Sequence, residues 1–401
     1  MAAKVKTIVL GVTGSISAFK AAEIASYFTQ AGYQVEVILT EEATKFIGAM
    51  TFRNITHRQV VTTMWDLASE FSVQHVALAE AADVVLIAPA TANVIAKMAC
   101  GIADDMLTCT ALATRVPIVV APAMNDNMWS NPITQENVAK LKKHGVTFIS
   151  PAYGRLASGK MGLGRLAELD EIYGITLKVL GKTGDLAHKH IVVTAGGTQE
   201  PVDPVRCLTN RSTGKMGYAV AEAARNRGAD VTLISGPTAL IKPAGIKVID
   251  VKTAEEMLQA VLEATKKTDA LIMSAAVADF RPARPSGKKI KRQDLSDLTL
   301  QLEKTPDILG QAKGDFIRVG FAAESHNVVD NAAAKVKKKG LDLIVANDIT
   351  AKDCGFGTET NKVTIIDSKG KADELPLMPK AEVADKILDR VAGLLKKGKN
   401  S

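Results

Sequence analysis

Short apolar runs alternate with segments of helical periodicity along the chain. A β-branched run over 7–12 leads into a helical pattern over 18–31 and then into a strand over 34–39. This order of strand, helix and strand predicts a βαβ unit, because β-branched and apolar residues predominate in both strands and the helix is apolar on one face. Further strands are predicted over 83–88 and 117–121, with helices between them. The alternation predicts a mostly parallel sheet with helices on both faces.

The pattern breaks near residue 185 and then begins again with an apolar strand and a Gly/Thr turn over 191–198. We therefore predict two domains, 1–185 and 186–401, each a doubly wound α/β domain of the flavodoxin or Rossmann type. The similar openings are compatible with gene duplication, or with two unrelated domains that bind phosphate in the same way. The second sheet continues with strands at 231–235, 270–274, 317–321 and 343–346, and helices near 215–228, 253–266 and 328–339.

Charge and composition favour small anionic ligands over a nucleic acid or a membrane as the partner of this protein. The formal charge is +7, which favours anionic partners, but aromatic residues make up only 4% of the chain. Base-stacking surfaces need aromatic side chains among basic ones, so we predict no nucleic-acid partner. We also predict no membrane partner and a cytoplasmic location, because no leader or long apolar run is found. Cys100 and Cys109 lie in an apolar helical stretch, where we expect buried thiols.

A first candidate site lies at the opening of the first helix, over Gly14–Ser17. Free N–H groups at a helix start favour an anion, and this turn carries two hydroxyls. The G-x-G-x-x-G spacing is absent, so a mononucleotide such as FMN fits better than a dinucleotide. Ordinary helix capping is the alternative. Two more segments, Ala88–Asn93 and Pro122–Trp129, follow strand ends, where open α/β sheets bind ligands.

These two segments, with Gly101–Asp105, resemble the flavin-binding cysteine decarboxylases. The nearest resemblance is to the bacterial bifunctional phosphopantothenoylcysteine decarboxylase/phosphopantothenate–cysteine ligases of coenzyme A synthesis, and it covers nearly the whole chain. It implies CTP-dependent ligation of 4′-phosphopantothenate with cysteine through an acyl-cytidylate, then FMN-dependent decarboxylation to 4′-phosphopantetheine. It also implies a homo-oligomer, in which trimers of the first half and dimers of the second would combine into a dodecamer. The alternative is a flavin-binding regulatory protein with a retained ligase domain.

The resemblance assigns roles in the decarboxylase half. His75 would be the active-site histidine, acting as a base or polarising the thiol or carboxylate, although a lone histidine on a helix is more often structural. Asn125 would hold the substrate carboxylate or amide. The flavin would accept hydride from the thiol-bearing carbon and so provide the electron sink for loss of CO₂. The implied FMN-binding residues are Gly14, Ser15, Ser17, Thr40, Pro89, Ala90, Thr91 and Asn93.

One position departs from the family pattern. Ser158 stands where the family carries a cysteine that donates the proton of the last, reductive half-step. A serine hydroxyl is a far weaker acid than a thiol, whose pKa is about 8.5. Three interpretations are open: an engineered substitution that traps the oxidised intermediate, a different proton donor in the natural enzyme, or a decarboxylase half that stops at the enethiol.

In the second half, Thr194–Pro201 follows a strand, and Asn210–Gly217 opens the next helix with Ser, Thr and Gly donors. This arrangement suits a triphosphate or a phosphorylated substrate. The Walker A spacing is absent, which argues against an ordinary P-loop ATPase. Lys288–Arg292 is the densest basic cluster in the chain. It is either a solvated loop or a lid that closes over phosphates.

The resemblance assigns this half to the ligase. Lys289 would stabilise charge during nucleotidyl transfer, and Asn210 would hold the acyl-cytidylate. Mg²⁺ would bridge the triphosphate, with Asp279 as its protein ligand. The implied CTP-binding residues are Met273, Ser274, Ala275, Asp279, Lys289, Pro306, Asp307, Ile308, Leu309, Phe321, Lys335 and Lys339.

Overall fold

The computed structural model describes residues 5–65, 74–291, 298–324, 335–348, 355 and 357–398. The chain divides into two compact units, Met1–Leu180 and Gly181–Ser401. The domain boundary predicted at residue 185 lies just beyond this division.

The first unit is built on a six-stranded sheet. Its strands are β1 (Thr7–Val12), β2 (Gln34–Leu39), β3 (Val60–Val61), β4 (Val84–Ala90), β5 (Ile118–Pro122) and β6 (Thr147–Phe148). They lie in the order β3-β2-β1-β4-β5-β6, and each neighbouring pair is parallel. A separate antiparallel hairpin follows, formed by β7 (Ala152–Arg155) and β8 (Met161–Arg165).

Helices cover both faces of this sheet. A 3-10 helix over Ile16–Phe19 precedes α1, so the predicted helix over 18–31 starts with a tighter turn. The α-helices are α1 (Lys20–Gln30), α2 (Glu41–Thr44), α3 (Ala49–Thr56), α4 (Gln74–Ala81), α5 (Ala92–Cys100), α6 (Met106–Ala113), α7 (Asp126–Ser130), α8 (Pro132–Lys143) and α9 (Leu169–Gly181). Central strands β1 and β4 are wholly buried, because apolar side chains point to both helical layers.

The second unit has an eight-stranded sheet. Its strands are β9 (His190–Ala195), β12 (Asp230–Ser235), β13 (Lys247–Asp250), β14 (Ala270–Met273), β17 (Ile317–Glu324), β18 (Leu343–Asp348), β20 (Val363–Asp367) and β21 (Ala372–Glu374). Their order is β13-β12-β9-β14-β17-β18-β20-β21. Strand β20 is antiparallel to both of its neighbours, β18 and β21, and the other neighbouring pairs are parallel. Three small antiparallel pairs join β10 (Gln199–Pro201) to β11 (Cys207–Thr209), β15 (Phe280–Pro282) to β16 (Leu302–Lys304), and β19 (Thr360–Asn361) to β22 (Met378–Pro379).

The helices of this unit are α10 (Lys215–Asn226), α11 (Ala254–Ala264), α12 (Ile308–Gln311) and a C-terminal helix, Lys380–Lys397. A 3-10 turn covers Thr265–Lys267, and residues 335–339 are also helical. The amphipathic C-terminal helix packs its apolar face, including Val383, Ile387 and Val391, into the main core cluster beside α10.

The strand order confirms the predicted fold class. In each unit the first six strands of the main sheet follow the doubly wound order 3-2-1-4-5-6, which reverses between the first and fourth strands. At the carboxyl edge this reversal leaves a crevice, β1/β4 in the first unit and β9/β14 in the second.

The two cysteines predicted to be buried, Cys100 and Cys109, differ in exposure. Cys109 is half-buried, whereas Cys100 is exposed at the last residue of α5, so the prediction of a buried Cys100 is wrong. A helix exposes part of its circumference even within an apolar stretch. Within the described ranges, no helix combines the length and the apolarity that a membrane span needs.

Candidate active sites

Thr13 joins the two sides of the first crevice. This buried residue directly follows β1, and its Oγ1 donates to the Pro89 carbonyl at 2.8 Å while accepting from the Thr91 N–H at 3.0 Å. The turn after β1 and the turn after β4 are therefore held together. Two of the segments predicted to bind FMN, Gly14–Ser17 and Pro89–Asn93, lie at one edge of the sheet. Thr13 is not among the residues predicted from the sequence to bind FMN.

Three of the predicted hydroxyl groups cap helix starts around this edge. Ser15 Oγ accepts from the Ser17 N–H at 3.3 Å, Thr40 Oγ1 from the Ala43 N–H at 3.3 Å, and Thr91 Oγ1 from the Val94 N–H at 3.4 Å. Each cap uses one donor, and the other first-turn N–H groups have no partner within their own helix. The capping role and an anion site are therefore compatible in the same turns.

Asn125 follows β5 and caps α7, where its Oδ1 accepts from the Asn127 N–H at 3.0 Å. The turn also supports the β7–β8 hairpin, since the Met124 N–H donates to the Gly164 carbonyl at 2.9 Å. A Cβ on Gly164 would lie 2.1 Å from the Met124 oxygen, so only glycine permits this approach. The base of the hairpin therefore lies against the Asn125 turn.

Ser158 lies at the tip of the same hairpin. It is exposed in the turn between Leu156 and Lys160, whose backbone N–H and carbonyl pair at 2.8 Å. Gly162 lies against Asp126, and Ser158 is four residues farther toward the tip. The hairpin thus connects Ser158 to the Asn125 turn, with Ser158 at the end away from the base.

His75 is the second residue of α4 and is half-buried. The other end of the helix is held by the Thr114 Oγ1, which donates to the Ala79 carbonyl at 3.2 Å beside the chain that leads into β5. In an α/β layer, the helix before a parallel strand runs antiparallel to it. The start of α4, and with it His75, therefore faces the carboxyl edge that carries the other predicted residues.

The carboxylates of the segment Gly101–Asp105 have structural partners. Lys97 Nζ donates to Asp104 at 2.7 Å and to Asp105 at 3.0 Å, and Asp105 also caps α6 through the Thr108 N–H. Burial of the Asp105 carboxyl opposes ionisation, but the Thr108 and Lys97 hydrogen bonds outweigh it and lower the pKa. These carboxylates fix helix ends.

The second crevice is closed in a similar manner. Thr194 Oγ1 accepts from the Ala275 N–H at 3.1 Å and donates to Met273 Sδ at 3.6 Å. Asn210 Nδ2 donates to the carbonyls of Ala276 and Val277, both at 3.1 Å. The predicted segments after β9, after β14 and before α10 therefore meet at one place.

A cavity opens beside this meeting point. It is lined by the predicted residues Ser274, Ala275 and Phe321 and by the start of α10. Its opposite wall comes from a part of the chain in which no site residue was predicted, including Asn361 and Lys380. Both lie in polar stretches with no recognisable motif, so no local signal marks them.

The remaining predicted CTP residues form a neighbouring group. The Thr305 N–H donates to the Asp279 carbonyl at 3.0 Å, and the next residues lead to Asp307, which caps α12. Lys339 Nζ pairs with Asp307 Oδ1 at 3.3 Å. The Met273 and Ile308 side chains belong to the hydrophobic core, so these two residues can face a nucleotide only through their backbone.

Lys289 is exposed, and its neighbour Ile290 is anchored to the β10–β11 connection. The Ile290 N–H donates to Asp203 Oδ2 at 3.2 Å, and Arg206 Nη2 donates to the Ile290 carbonyl at 2.8 Å. The hydrogen-bonded Arg206 guanidinium holds the pKa of Asp203 well below its usual range. Lys335 is also exposed, and Arg292 lies outside the described residues.

Comparison with known proteins identifies both units. The Flavoprotein family matches residues 1–181, and the DNA/pantothenate metabolism flavoprotein C-terminal domain matches residues 186–395. The chain is 45% identical over 397 residues to the coenzyme A biosynthesis bifunctional protein CoaBC of Bacillus subtilis, covering 98% of each. It is 41% identical over 408 residues to the CoaBC of Mycobacterium tuberculosis strain H37Rv, covering 97% of each.

Two solved structures are also similar. The C-terminal domain of a CoaBC is 41% identical and covers 54% of this chain and 100% of its own, with a TM-score of 0.46. The FMN-dependent cysteine decarboxylase SpaF is 36% identical and covers 40% of this chain and 90% of its own, with a TM-score of 0.36.

The two family matches and the full-length relatives confirm the predicted bifunctional enzyme of coenzyme A biosynthesis, a ligase and a decarboxylase, and do not favour the regulatory protein. The match to the Flavoprotein family supports a flavin cofactor. Over nearly its whole length, the chain belongs to the family of coenzyme A biosynthesis bifunctional proteins.

Proposed function

We propose that the second unit joins 4′-phosphopantothenate to cysteine with CTP, and that the first unit decarboxylates the product with FMN. One observation supports this proposal above all: in each unit, the segments predicted to bind the ligands meet at the crevice. In the first unit, the Thr13 hydrogen bonds hold the two FMN segments together, and Asn125 and His75 lie on the same carboxyl edge. Ligands of open α/β sheets bind at this edge, beside the reversal of strand order.

The residues of the first crevice fit FMN. The capped helix starts at Ser15, Thr40 and Thr91 would supply N–H groups to its phosphate. When bound, FMN supplies the electron sink that loss of CO₂ requires. Asn125 Oδ1 already accepts the capping hydrogen bond, which leaves the Nδ2 amide to donate to the substrate carboxylate. His75, at the start of α4, would hold or move the substrate thiol proton.

In the second unit, the phosphopantothenate carboxylate would attack the α-phosphorus of CTP, and pyrophosphate would leave. The cysteine amine would then attack the acyl carbon, losing a proton and releasing CMP. Asn210 Nδ2 donates to two backbone carbonyls, which leaves its Oδ1 as the atom that would contact the acyl-cytidylate. Lys289 would stabilise the charge that develops on the phosphates.

Asp279 would contribute one oxygen to Mg²⁺. This carboxylate is exposed, and across the described parts of the chain no three His, Cys, Asp or Glu side chains cluster as a metal site. Mg²⁺ binds substrate phosphates together with one or two carboxylates, so the triphosphate and water would complete the coordination.

We also propose a cytoplasmic homo-oligomer with a dodecamer as its complete form. Ile16 and Phe19 are 62% and 57% exposed in the 3-10 helix that follows the Ser15 turn. Such apolar exposure beside a cofactor crevice supports burial against a second copy of the chain. Light scattering of the purified protein tests this assembly, and a monomer at micromolar concentration would contradict it.

The purified full chain tests the central proposal. We expect a yellow protein with a flavin absorption band, and pyrophosphate release that needs 4′-phosphopantothenate, cysteine and CTP together. Mass spectrometry would follow the ligated and decarboxylated products. A colourless protein that released no pyrophosphate would contradict the proposal, and ATP in place of CTP tests the nucleotide preference.

A further inference from the structure

Arg318, the second residue of β17, forms hydrogen bonds to two separate segments of the chain. Its Nη2 donates to the carbonyl of Leu309 in α12, and its Nη1 donates to the carbonyl of Gly340 at 3.2 Å. The third nitrogen, Nε, is buried and has no acceptor among the described residues. The guanidinium is therefore held by these two carbonyls, one from each segment.

Both carbonyls lie where a helix ends. The last carbonyls of a helix have no hydrogen-bond partner within it, and α12 is a single turn of four residues, Ile308–Gln311. Gly340 directly follows the helical segment 335–339 and has a φ of 59°, the left-handed conformation that commonly ends helices. Arg318 therefore fixes the end of one helix relative to the end of the other.

The two segments also meet through Asp307 and Lys339. Asp307 Oδ1 accepts from the Gly310 N–H at 3.0 Å, which caps α12, and it lies 3.3 Å from Lys339 Nζ. The side chains of Asp307 and Lys339 are 55% and 38% exposed, and exposed ion pairs contribute little to holding two elements together. Of these two polar links, the pair of hydrogen bonds from Arg318 is therefore the one that fixes the segments.

The second of the joined segments is strongly basic. Four of its five residues are lysines, namely Lys335, Lys337, Lys338 and Lys339. A lysine ammonium has three N–H donors, and Asp307 occupies one of those of Lys339, so two are left for an anion. Among the three ligase substrates, CTP has the largest negative charge because it carries a triphosphate. The segment is therefore suited to the nucleotide, and Lys339 is among the residues predicted to bind CTP.

Resting on the ligase function proposed above, we propose that Arg318 is a positioning residue for CTP binding. Arg318 is near the amino-terminal end of β17, whereas ligands bind at the carboxyl edge, so it acts through the two segments without touching the nucleotide. Leu309 packs against the apolar cluster that contains Leu341, but such packing has no direction. The two guanidinium hydrogen bonds are directional, and they set how Lys339 faces the start of α12.

The test measures the KM of the full chain for each ligase substrate by pyrophosphate release, and the Kd for CTP by equilibrium dialysis. Arg318→Met removes both hydrogen bonds but keeps an unbranched side chain. We expect its KM and Kd for CTP to rise about 10-fold, since small displacements of binding groups have effects of this size. The KM for 4′-phosphopantothenate and for cysteine, and kcat at saturating CTP, should stay within about twofold. Arg318→Lys keeps a donor for one carbonyl and should raise both constants for CTP by only about threefold.

The matched control is Asp342→Ala. Asp342 Oδ2 accepts from the backbone N–H of Arg318 at 2.8 Å, so this variant weakens the same end of β17 but leaves the guanidinium hydrogen bonds in place. Its KM and Kd for CTP should not change. An equal rise in Asp342→Ala and Arg318→Met would mean that Arg318 acts only on local stability.

The outcomes separate this inference from the ligase proposal. If wild type binds CTP but releases no pyrophosphate, the ligase proposal fails and the Kd values still decide the role of Arg318. If wild type does not bind CTP, both fail. An unchanged KM for CTP in Arg318→Met, or an equal rise for all three substrates, contradicts the positioning role. If Arg318→Met does not fold, an unchanged Kd for CTP in Arg318→Lys contradicts that role as well.

Discussion

At the scale of a single residue, we predict that the side chain at position 158 sets how fast the final product forms. We expect Ser158→Cys to increase the rate at which saturated 4′-phosphopantetheine forms from added 4′-phosphopantothenoylcysteine. The reason is that a thiol, with a pKa near 8.5, donates a proton far more readily at pH 7 than a serine hydroxyl does. Mass spectrometry distinguishes the saturated thiol from the enethiol, which has two fewer hydrogens.

The matched control is Ser158→Ala. If wild type and Ser158→Ala make the saturated product at equal rates, the serine hydroxyl donates no proton and another group does so. If Ser158→Cys gives no increase, the hairpin tip is not a proton-donor position in this chain.

The sequence predicted those site residues that lie in continuous motifs at strand ends, because each motif carries its own polar and glycine pattern. Thr13 and Asn361 were missed for a physical reason. Thr13 acts through two backbone groups more than seventy residues away, and Asn361 through an α10 turn 145 residues away. Such roles arise only when distant segments meet, and an isolated Thr or Asn carries no signal of it.

At the scale of an element, the β10–β11 connection fixes the segment that carries Lys289. Arg206→Ala removes the hydrogen bond to the Ile290 carbonyl and leaves Asp203 without its cation. We expect ligase kcat to fall by about 10- to 100-fold, since small displacements of a catalytic group have effects of this size. Decarboxylation of added substrate should not change, and both are measured on the same preparation.

Arg390→Ala is the control for loss of a surface ion pair, because it removes the exposed pair between Arg390 of the C-terminal helix and Asp373 of β21, whereas Arg206 pairs with the buried carboxylate of Asp203. This control should leave ligase kcat within about twofold of wild type, as surface ion pairs contribute little. Equal losses in the two variants would mean that Arg206 acts only on general stability.

A second ion-pair group holds the ends of the second unit together. Arg227 donates to Asp185 through Nε at 2.9 Å and Nη2 at 2.5 Å, and to Asp389 of the C-terminal helix at 2.9 Å. The hydrogen-bonded Arg227 lowers the pKa of Asp185. A lowered folded-state pKa stabilises the fold above the unfolded value of about 3.9, and this contribution is lost as the pH falls through the folded value.

We therefore expect Asp185→Asn to lower the free energy of unfolding by about 1 kcal/mol at pH 7, after allowance for solvent screening. The difference from wild type should shrink steadily below about pH 4. Urea denaturation of the second unit's transition at several pH values measures it. Glu263→Gln, which breaks an exposed pair with Lys266, should change little at any pH. A difference for Asp185→Asn that did not decrease at all as the pH fell from 7 to 2 would contradict the linkage.

For the whole molecule, the two units predict separable chemistry. Lys289→Gln should abolish CTP-dependent pyrophosphate release but leave decarboxylation of added 4′-phosphopantothenoylcysteine unchanged. His75→Asn should do the reverse, because each residue belongs to a different unit. Mass spectrometry of the reaction mixture measures the ligated and the decarboxylated product together, and so follows both steps. Loss of both activities in either variant would contradict the assignment of one step to each unit.

For the whole molecule, the parallel strands of the two main sheets could be predicted from the sequence, but the short antiparallel strands could not. Apolar runs over 117–121 and 343–346 identified sheet strands, since buried parallel strands are continuously hydrophobic. The antiparallel strands β20 and β21 and the β7–β8 hairpin are short and partly polar, so their alternation is too weak to distinguish from loops. The tip of the β7–β8 hairpin carries Ser158, and Asn361 lies in β19, the short strand that precedes β20 in the chain.

The threonine hydroxyls of the two crevices have one further consequence. The hydroxyls of Thr13 and Thr194 each accept a hydrogen bond across the gap between the first and fourth strands. The donor is a backbone N–H, at 3.0 Å in the first unit and 3.1 Å in the second. These hydrogen bonds resist widening of the gap. We therefore expect a variant selected for a different ligand in either unit to carry its substitutions in the turns around the gap, and to keep the threonine.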